Sequence, residues 1–280
     1  MVFPACQDPV SESRVAPTLT RVTVRVLCAV LFMAASGPAV GASGEQSGSS
    51  PDRAYEERTV EGWTVHVGRP LLEDHSELAD RALRILSNQL FDVRRTLPDG
   101  VVQRLMEVPI WLQYRCRDIA CATYHPSRRW LQSHGYNPDK AGSVDIGHAG
   151  HFVAWTTQQH SMLLHELAHA YHHQVLGYDN DRIKSAYRRA KDAGLYDEVL
   201  QWRGHRQRHY ALENAKEFFA EMTEAYYGVN DFYPFVRAEL AQHDPDTAAL
   251  MRELWTPDEP PASEGSSASP PPESDPGSDS

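Results

Sequence analysis

His165-Glu166-Leu167-Ala168-His169 lies within a long, mostly apolar segment, residues 157–176. Apolar residues occupy nearly every side of the helix predicted there, so we expect that helix to be buried in the middle of the fold. A buried polar side chain without a partner costs free energy of folding, and a divalent metal ion would be such a partner for the two histidines. His165 and His169 are one turn apart, so both imidazoles project from one face and can bind a single ion. Glu166 lies about 100° around the helix, a position suited to a base acting on water, as in the HExxH pattern.

A catalytic zinc site usually has three protein ligands, and the third must come from elsewhere in the chain. A histidine ten residues after His165 would complete the metzincin pattern of three histidine ligands, but that position is Val175. The helix predicted at 211–227 carries Glu217, Glu221 and Glu224 on one face, spaced i, i+4, i+7. Three glutamates also fit a solvated face. Because two buried histidines require completion, metal binding by one of these carboxylates is the favoured interpretation.

The segment Tyr210-Ala-Leu-Glu-Asn-Ala-Lys-Glu-Phe-Phe-Ala-Glu221 resembles the catalytic domain of anthrax toxin lethal factor, a zincin with a glutamate third ligand. The resemblance covers residues 161–227. It implies a gluzincin-type zinc metallopeptidase with a zincin-like fold. It also implies that Glu217 is the third zinc ligand, that Tyr210 supports the oxyanion, and that Asn214 and Glu221 support the site from outside.

The expected reaction is hydrolysis of a peptide or protein substrate by a zinc-activated water. Glu166 would take a proton from that water and return it to the leaving amine. A strand predicted at His151–Trp155 would offer an edge for pairing with an extended peptide. Two alternatives stay open: a zinc hydrolase of a non-peptide, cell-wall amide, and a zinc-binding protein without turnover.

The other histidines give weaker signals. His172 falls near the ligand-bearing face, but solvated or capping roles are commoner than metal binding. His148, His151 and His160 precede the helix, where surface positions are expected.

Residues 1–42 have the three parts of a secretory signal peptide. Arg21 and Arg25 precede an apolar run at 26–35, and small residues follow up to Ala42. A membrane anchor is the alternative, but the run is short of the about 20 residues needed to span a bilayer. The sequence thus predicts a secreted or periplasmic protein without a membrane span after cleavage.

The mature chain divides into three predicted parts: a flexible leader at 43–54, one folded domain at 55–255 and a disordered Pro/Ser-rich tail at 256–280. The formal net charge is −11, which argues against a nucleic-acid partner. Acidic residues without any Lys or Arg after Trp255 contribute six of these charges. The sequence does not define an oligomeric state.

Two cysteines remain after signal cleavage, Cys116 and Cys121. In an oxidising compartment such a close pair is predicted to form a disulfide. Binding of a metal by both thiolates is disfavoured because no second pair of ligands has the usual spacing.

The order of predicted elements is strands first and helices afterwards, which indicates an α+β fold with a small mixed sheet and a helical second half. Predicted strands lie at 60–67, 108–114 and 143–155, the last interrupted at Gly147 to Gly150. Predicted helices lie at 71–97, 157–176, 181–193, 211–227, 232–242 and 245–254.

Overall fold

The computed structural model describes residues 54–116, 119 and 121–256. The predicted signal peptide, the leader up to residue 53 and the tail from residue 257 lie outside this part of the chain. Within it, a small mixed sheet precedes a mainly helical half, which confirms the predicted α+β class.

Five strands form the main sheet: β1 Tyr55–Val60, β2 Trp63–Gly68, β3 Ile110–Leu112, β4 Ala122–Tyr124 and β5 Val144–Ile146. Their order across the sheet is β1-β2-β3-β5-β4. The three inner strands are parallel, and both outer strands run antiparallel to their neighbours. Strand β4 is therefore an edge of the sheet.

The strand predicted at 60–67 is confirmed from Trp63 onwards as β2, but it does not include Val60, because the chain turns over at Glu61 and Gly62. Both residues have positive φ, 50° and 98°, as the tight turn of a two-residue hairpin requires. Gly62 adopts this conformation without strain. The result is the β1–β2 hairpin, and only β2 contributes fully buried residues to the core.

The first five helices are α1 Arg69–Asp74, α2 Ser76–Thr96, α3 Asp99–Met106, α4 Arg128–Ser133 and α5 Ala149–Trp155. The predicted helix at 71–97 is confirmed over most of its length as α2, with the short α1 split off at His75. Helix α2 buries one apolar face, as its 3.6-residue period predicts, and packs mainly against α5. Helices α3 and α4 and strand β4 were not predicted.

The strand predicted at His151–Trp155 is wrong, because these residues belong to helix α5. His148 caps this helix, its Nδ1 accepting a hydrogen bond from the backbone N–H of His151 at 3.1 Å. The rings of His148, His151 and Trp155 then stack in succession at helical spacing, with centroids 3.7 and 4.9 Å apart. A peptide therefore cannot pair with this segment as a strand.

The second half contains α6 Met162–Tyr171, α7 Asp181–Asp192, α8 Ala215–Tyr227, α9 Arg237–His243 and α10 Pro245–Leu254, with a small hairpin of β6 Val199–Leu200 and β7 Arg206–Gln207. The prediction for α10 is confirmed, and that for α7 differs by one residue. Helix α6 begins five residues later than predicted and continues as a π-helical turn, His172–Leu176. Gly177, with φ of 76°, ends it as predicted.

Helix α6 is the central helix, and every one of its ten residues is buried. It packs against α8, α2 and strand β4. The two ligand-bearing helices predicted from the sequence are thus neighbours in the core. No helix in the described residues has the length and apolar character needed to cross a membrane.

Candidate metal centre

Helix α6 presents His165 and His169 on one face, as their spacing predicts. The two residues are 6 % and 4 % exposed. The two Nε2 atoms lie 3.1 Å apart, and the rings meet edge to face. The helix therefore fixes two imidazole nitrogens at one buried point.

Helix α8 brings Glu217 to the same point. Its Oε2 lies 3.2 Å from Nε2 of His165 and 3.3 Å from Nε2 of His169. Asn214 is exposed and caps α8, its side-chain oxygen accepting hydrogen bonds from the backbone N–H groups of Lys216 and Glu217. Asn214 thus supports the site by fixing the start of the helix that carries Glu217.

The three donor atoms form a nearly equilateral triangle with edges of 3.1, 3.2 and 3.3 Å. Tetrahedral ligands at the 2.0–2.1 Å bond lengths of zinc are about 3.3–3.4 Å apart. A hydrogen bond between the two imidazoles would use the lone pair of only one nitrogen. A cation bound at the centre of the triangle would interact with the lone pairs of both nitrogens and of the carboxylate oxygen. Because the donors are buried and converge, these residues fit a metal ion.

Behind His165 lies a second carboxylate, Glu224, whose Oε1 is 2.6 Å from Nδ1. This hydrogen bond places the ring proton on Nδ1 and leaves the lone pair of Nε2 directed to the triangle. Glu221 lies 3.7 Å from the same nitrogen and accepts a 2.9 Å hydrogen bond from Asn230. Glu224 therefore makes the supporting bond that the resemblance assigned to Glu221.

Negative charge is in excess around this point. Burial, and then the nearby Glu224 carboxylate, raise the pKa of Glu221 well above its usual value. The same two causes raise the pKa of Asp231 to about 7. Burial lowers the pKa of His165, but hydrogen bonds to Glu217 and Glu224 outweigh it and raise that pKa overall. A bound cation would offset this surplus.

Glu166 lies beside the triangle and is 3 % exposed. Its Oε2 accepts a 2.8 Å hydrogen bond from the backbone N–H of Tyr124, on the edge strand β4. The sheet edge therefore holds the predicted base in place. The contribution of Tyr124 cannot be predicted from the sequence, because every residue type except proline carries the same backbone N–H donor.

Tyr210 lies on a short 3₁₀ turn, Tyr210–Leu212, just before α8 and is half-buried. Its predicted oxyanion role stays a prediction. His172 is buried, and its ring packs against Phe219 and Tyr178 outside the group of converging ligands. Burial, and then the charges of His169 and Lys216, lower the pKa of His172 to about 3, so it stays neutral.

The disulfide predicted between Cys116 and Cys121 is not formed, and both are free cysteines. The backbone of Gly147 lies between them, accepting from the N–H of Cys116 at 2.6 Å and donating to the carbonyl of Cys121 at 2.8 Å. Two cysteines on opposite sides of a third backbone are too far apart to bond. The thiol of Cys121 faces inward, with Sγ 3.2 Å from Sδ of Met162.

In the folded protein, we expect iodoacetamide to label Cys116 and to spare Cys121. Cys116 is partly exposed, whereas burial and then the Glu166 carboxylate raise the pKa of the Cys121 thiol. The thiolate is the reactive form, so Cys121 should react only after unfolding. Peptide mass spectrometry of native and urea-treated samples measures both sites. Labelling that requires prior reduction at both cysteines would contradict the free-thiol arrangement.

No family model, curated protein or solved structure matches the chain.

Proposed function

We propose that this chain is an exported zinc-dependent peptidase with a zincin-like fold. The observation that carries the proposal is the buried triangle of His165, His169 and Glu217 with Glu166 fixed beside it. Two imidazoles and one carboxylate suit zinc better than magnesium or calcium, which prefer oxygen ligands. The predicted signal peptide supports export.

Zinc at this position would polarise the substrate carbonyl and lower the pKa of a water towards 7. Glu166 has its Oε2 held by the N–H of Tyr124. Its Oε1 would take a proton from the water and deliver it to the leaving nitrogen. Glu224 would hold the tautomer and orientation of His165 during the reaction.

Strand β4 pairs with one strand only within the described residues, and its second edge favours an extended peptide as substrate. Cys121 and His125 form hydrogen bonds with the β5 side, at Gly147 and Ser143. Because antiparallel pairing alternates, Ala122 and Tyr124 direct their backbone groups away from β5. The Tyr124 N–H is one of these groups, and it reaches Glu166. A peptide paired with the remaining groups of this edge would pass directly beside the base.

The purified mature protein should contain close to one zinc ion per chain, measured by elemental analysis. His169→Ala should lose this zinc, because it removes one of three buried donors. His160→Ala is the matched control, since His160 is exposed and precedes α6. Hydrolysis of a proteome-derived peptide library should stop on chelation and return with added zinc. A folded protein without zinc, or one that cleaves only a cell-wall digest, would contradict the proposal.

A further inference from the structure

The small hairpin of β6 and β7 has one buried and one exposed face. Val199 and Gln201 are buried, whereas Leu200 and Trp202 are exposed, as the two-residue period of an extended chain requires. Arg206 lies directly opposite Leu200 in the register, so its side chain shares the exposed face. Trp202 is 42 % exposed, a large fraction for an indole ring. The outer surface of the hairpin therefore combines apolar side chains with positive charge.

The positive charge on this surface is not neutralised by neighbouring carboxylates. The guanidinium of Arg203 lies 5.5 Å from the ring centroid of Trp202 and donates a hydrogen bond to the side-chain oxygen of Gln158. Arg206 donates to the backbone carbonyl of Glu198 at 3.1 Å. In the part of the chain that the structure describes, neither arginine forms an ion pair. Residues 199–209 hold three Arg and no Asp or Glu, in a chain whose formal net charge is −11.

We call Leu200, Trp202, Arg203 and Arg206 the hairpin face. Its chemistry is complementary to one segment of the same chain, Pro270-Pro271-Pro272-Glu273-Ser274-Asp275. Consecutive prolines favour the polyproline II conformation, which packs on exposed aromatic rings and loses little conformational entropy on binding. Carboxylates directly after the prolines match arginines directly beside the tryptophan.

The last described helix ends on the same side of the domain as the hairpin. The ring of Trp255 lies 5.8 Å from that of Tyr227, at the end of α8. Asp231, four residues further along the chain, accepts a 2.8 Å hydrogen bond from the backbone N–H of Trp202. These contacts limit the distance from Trp255 to the hairpin to about 30 Å, which about ten extended residues span. Residues 270–275 follow Trp255 by more than that number of residues, so they can reach the hairpin face.

We propose that residues 270–275 bind to the hairpin face. The proline rings pack on Trp202, and the two carboxylates lie beside Arg203 and Arg206. Because both partners belong to one chain, the effective concentration is in the millimolar range, and individually weak contacts suffice. The charge pairs are exposed to solvent, so salt weakens the binding. The proposal is independent of zinc and of the proposed peptidase function.

Fluorine NMR on the mature chain labelled with 5-fluorotryptophan tests the tail side of this contact. The Trp202 resonance is assigned by its loss in Trp202→Phe. In the double variant Glu273→Gln/Asp275→Asn, we expect this resonance to move to its position in about 1 M sodium chloride, while the other tryptophan resonances stay in place. The matched control is Glu259→Gln/Glu264→Gln, which removes the same charge from an earlier part of the tail. Its Trp202 resonance should equal that of the wild type.

Limited proteolysis tests the hairpin side. A glutamate-specific protease should cleave after Glu273 about twofold faster in Arg203→Gln/Arg206→Gln than in the wild type, since a site occupied about half of the time protects its ligand by that factor. Cleavage after Glu264 in the same chains is the internal reference and should not change. Arg129→Gln is the matched control, because Arg129 is exposed and lies on α4, outside the hairpin face. It should cleave like the wild type.

Three results would overturn the proposal. The first is a Trp202 resonance that stays in place in Glu273→Gln/Asp275→Asn. The second is a resonance that moves equally in the control Glu259→Gln/Glu264→Gln, which would mean nonspecific attraction by the whole tail. The third is cleavage after Glu273 at the wild-type rate in the double arginine variant. A Trp202 resonance that shifts on dilution would assign the bound tail to a second copy of the chain, and so would overturn the intramolecular contact.

Discussion

Glu166→Gln should retain zinc and lose turnover by about 10³–10⁴, the upper part of the range for general acid–base catalysis. Glu166 is expected to act twice, first by taking a proton from the water and then by delivering it to the leaving nitrogen. The glutamine side chain of the variant can do neither. The side chain keeps its size, and its carbonyl oxygen can still accept the hydrogen bond from the N–H of Tyr124. Steady-state kinetics on one peptide, with elemental analysis of the same samples, measure both quantities.

Glu198→Gln is the control for this substitution, because Glu198 is exposed and lies outside the candidate centre. Its zinc content and kcat should equal those of the wild type. An active Glu166→Gln variant would show that another group transfers the proton. Loss of zinc from Glu166→Gln would mean that Glu166 contributes to the metal site and is more than a base.

The sequence predicted the central part of the site because its signals are local. Spacing of four residues within an apolar run placed His165 and His169 on one buried face, and the structure agrees. The apolar period that predicted α2 is local for the same reason. Only the resemblance selected Glu217 among three glutamates on one helix face, since the choice depends on how α8 packs on α6.

The structural features that the sequence did not predict depend on tertiary contacts. Strand β4 has three residues and, in the part of the chain that the structure describes, pairs only with β5, so it has little sequence pattern of its own. Cys116 and Cys121 are five positions apart in sequence, but the backbone of Gly147 lies between them. Their separation is set by the hydrogen bonds of Gly147 to both residues, which the sequence spacing does not reveal. The helical state of His151–Trp155 arises from a cap and stacked rings, although Phe152 and Val153 favour a strand.

Substitution of the three buried glutamates of α8 by glutamine should weaken zinc binding in a fixed order. Glu217→Gln should weaken it most, because a neutral amide replaces an anionic donor that lies 3.2 and 3.3 Å from the two histidine nitrogens. Glu224→Gln should weaken it by about 10- to 100-fold, the usual effect of losing a carboxylate behind a ligand histidine. Glu221→Gln should change it least. Competition with a chromophoric chelator measures all three affinities.

The small effect expected for Glu221→Gln follows from its surroundings. Its carboxylate is 3.7 Å from His165, too far for a hydrogen bond, and its raised pKa favours the neutral acid, which glutamine imitates. If Glu221→Gln instead lost zinc while Glu217→Gln kept it, the ion would lie on the other side of His165, at the second group of converging donors formed with Glu221 and Glu224. His169→Ala would then retain zinc, because His169 does not belong to that group. The two substitutions together therefore locate the ion on one side of the His165 ring or the other, whether or not the protein cleaves peptides.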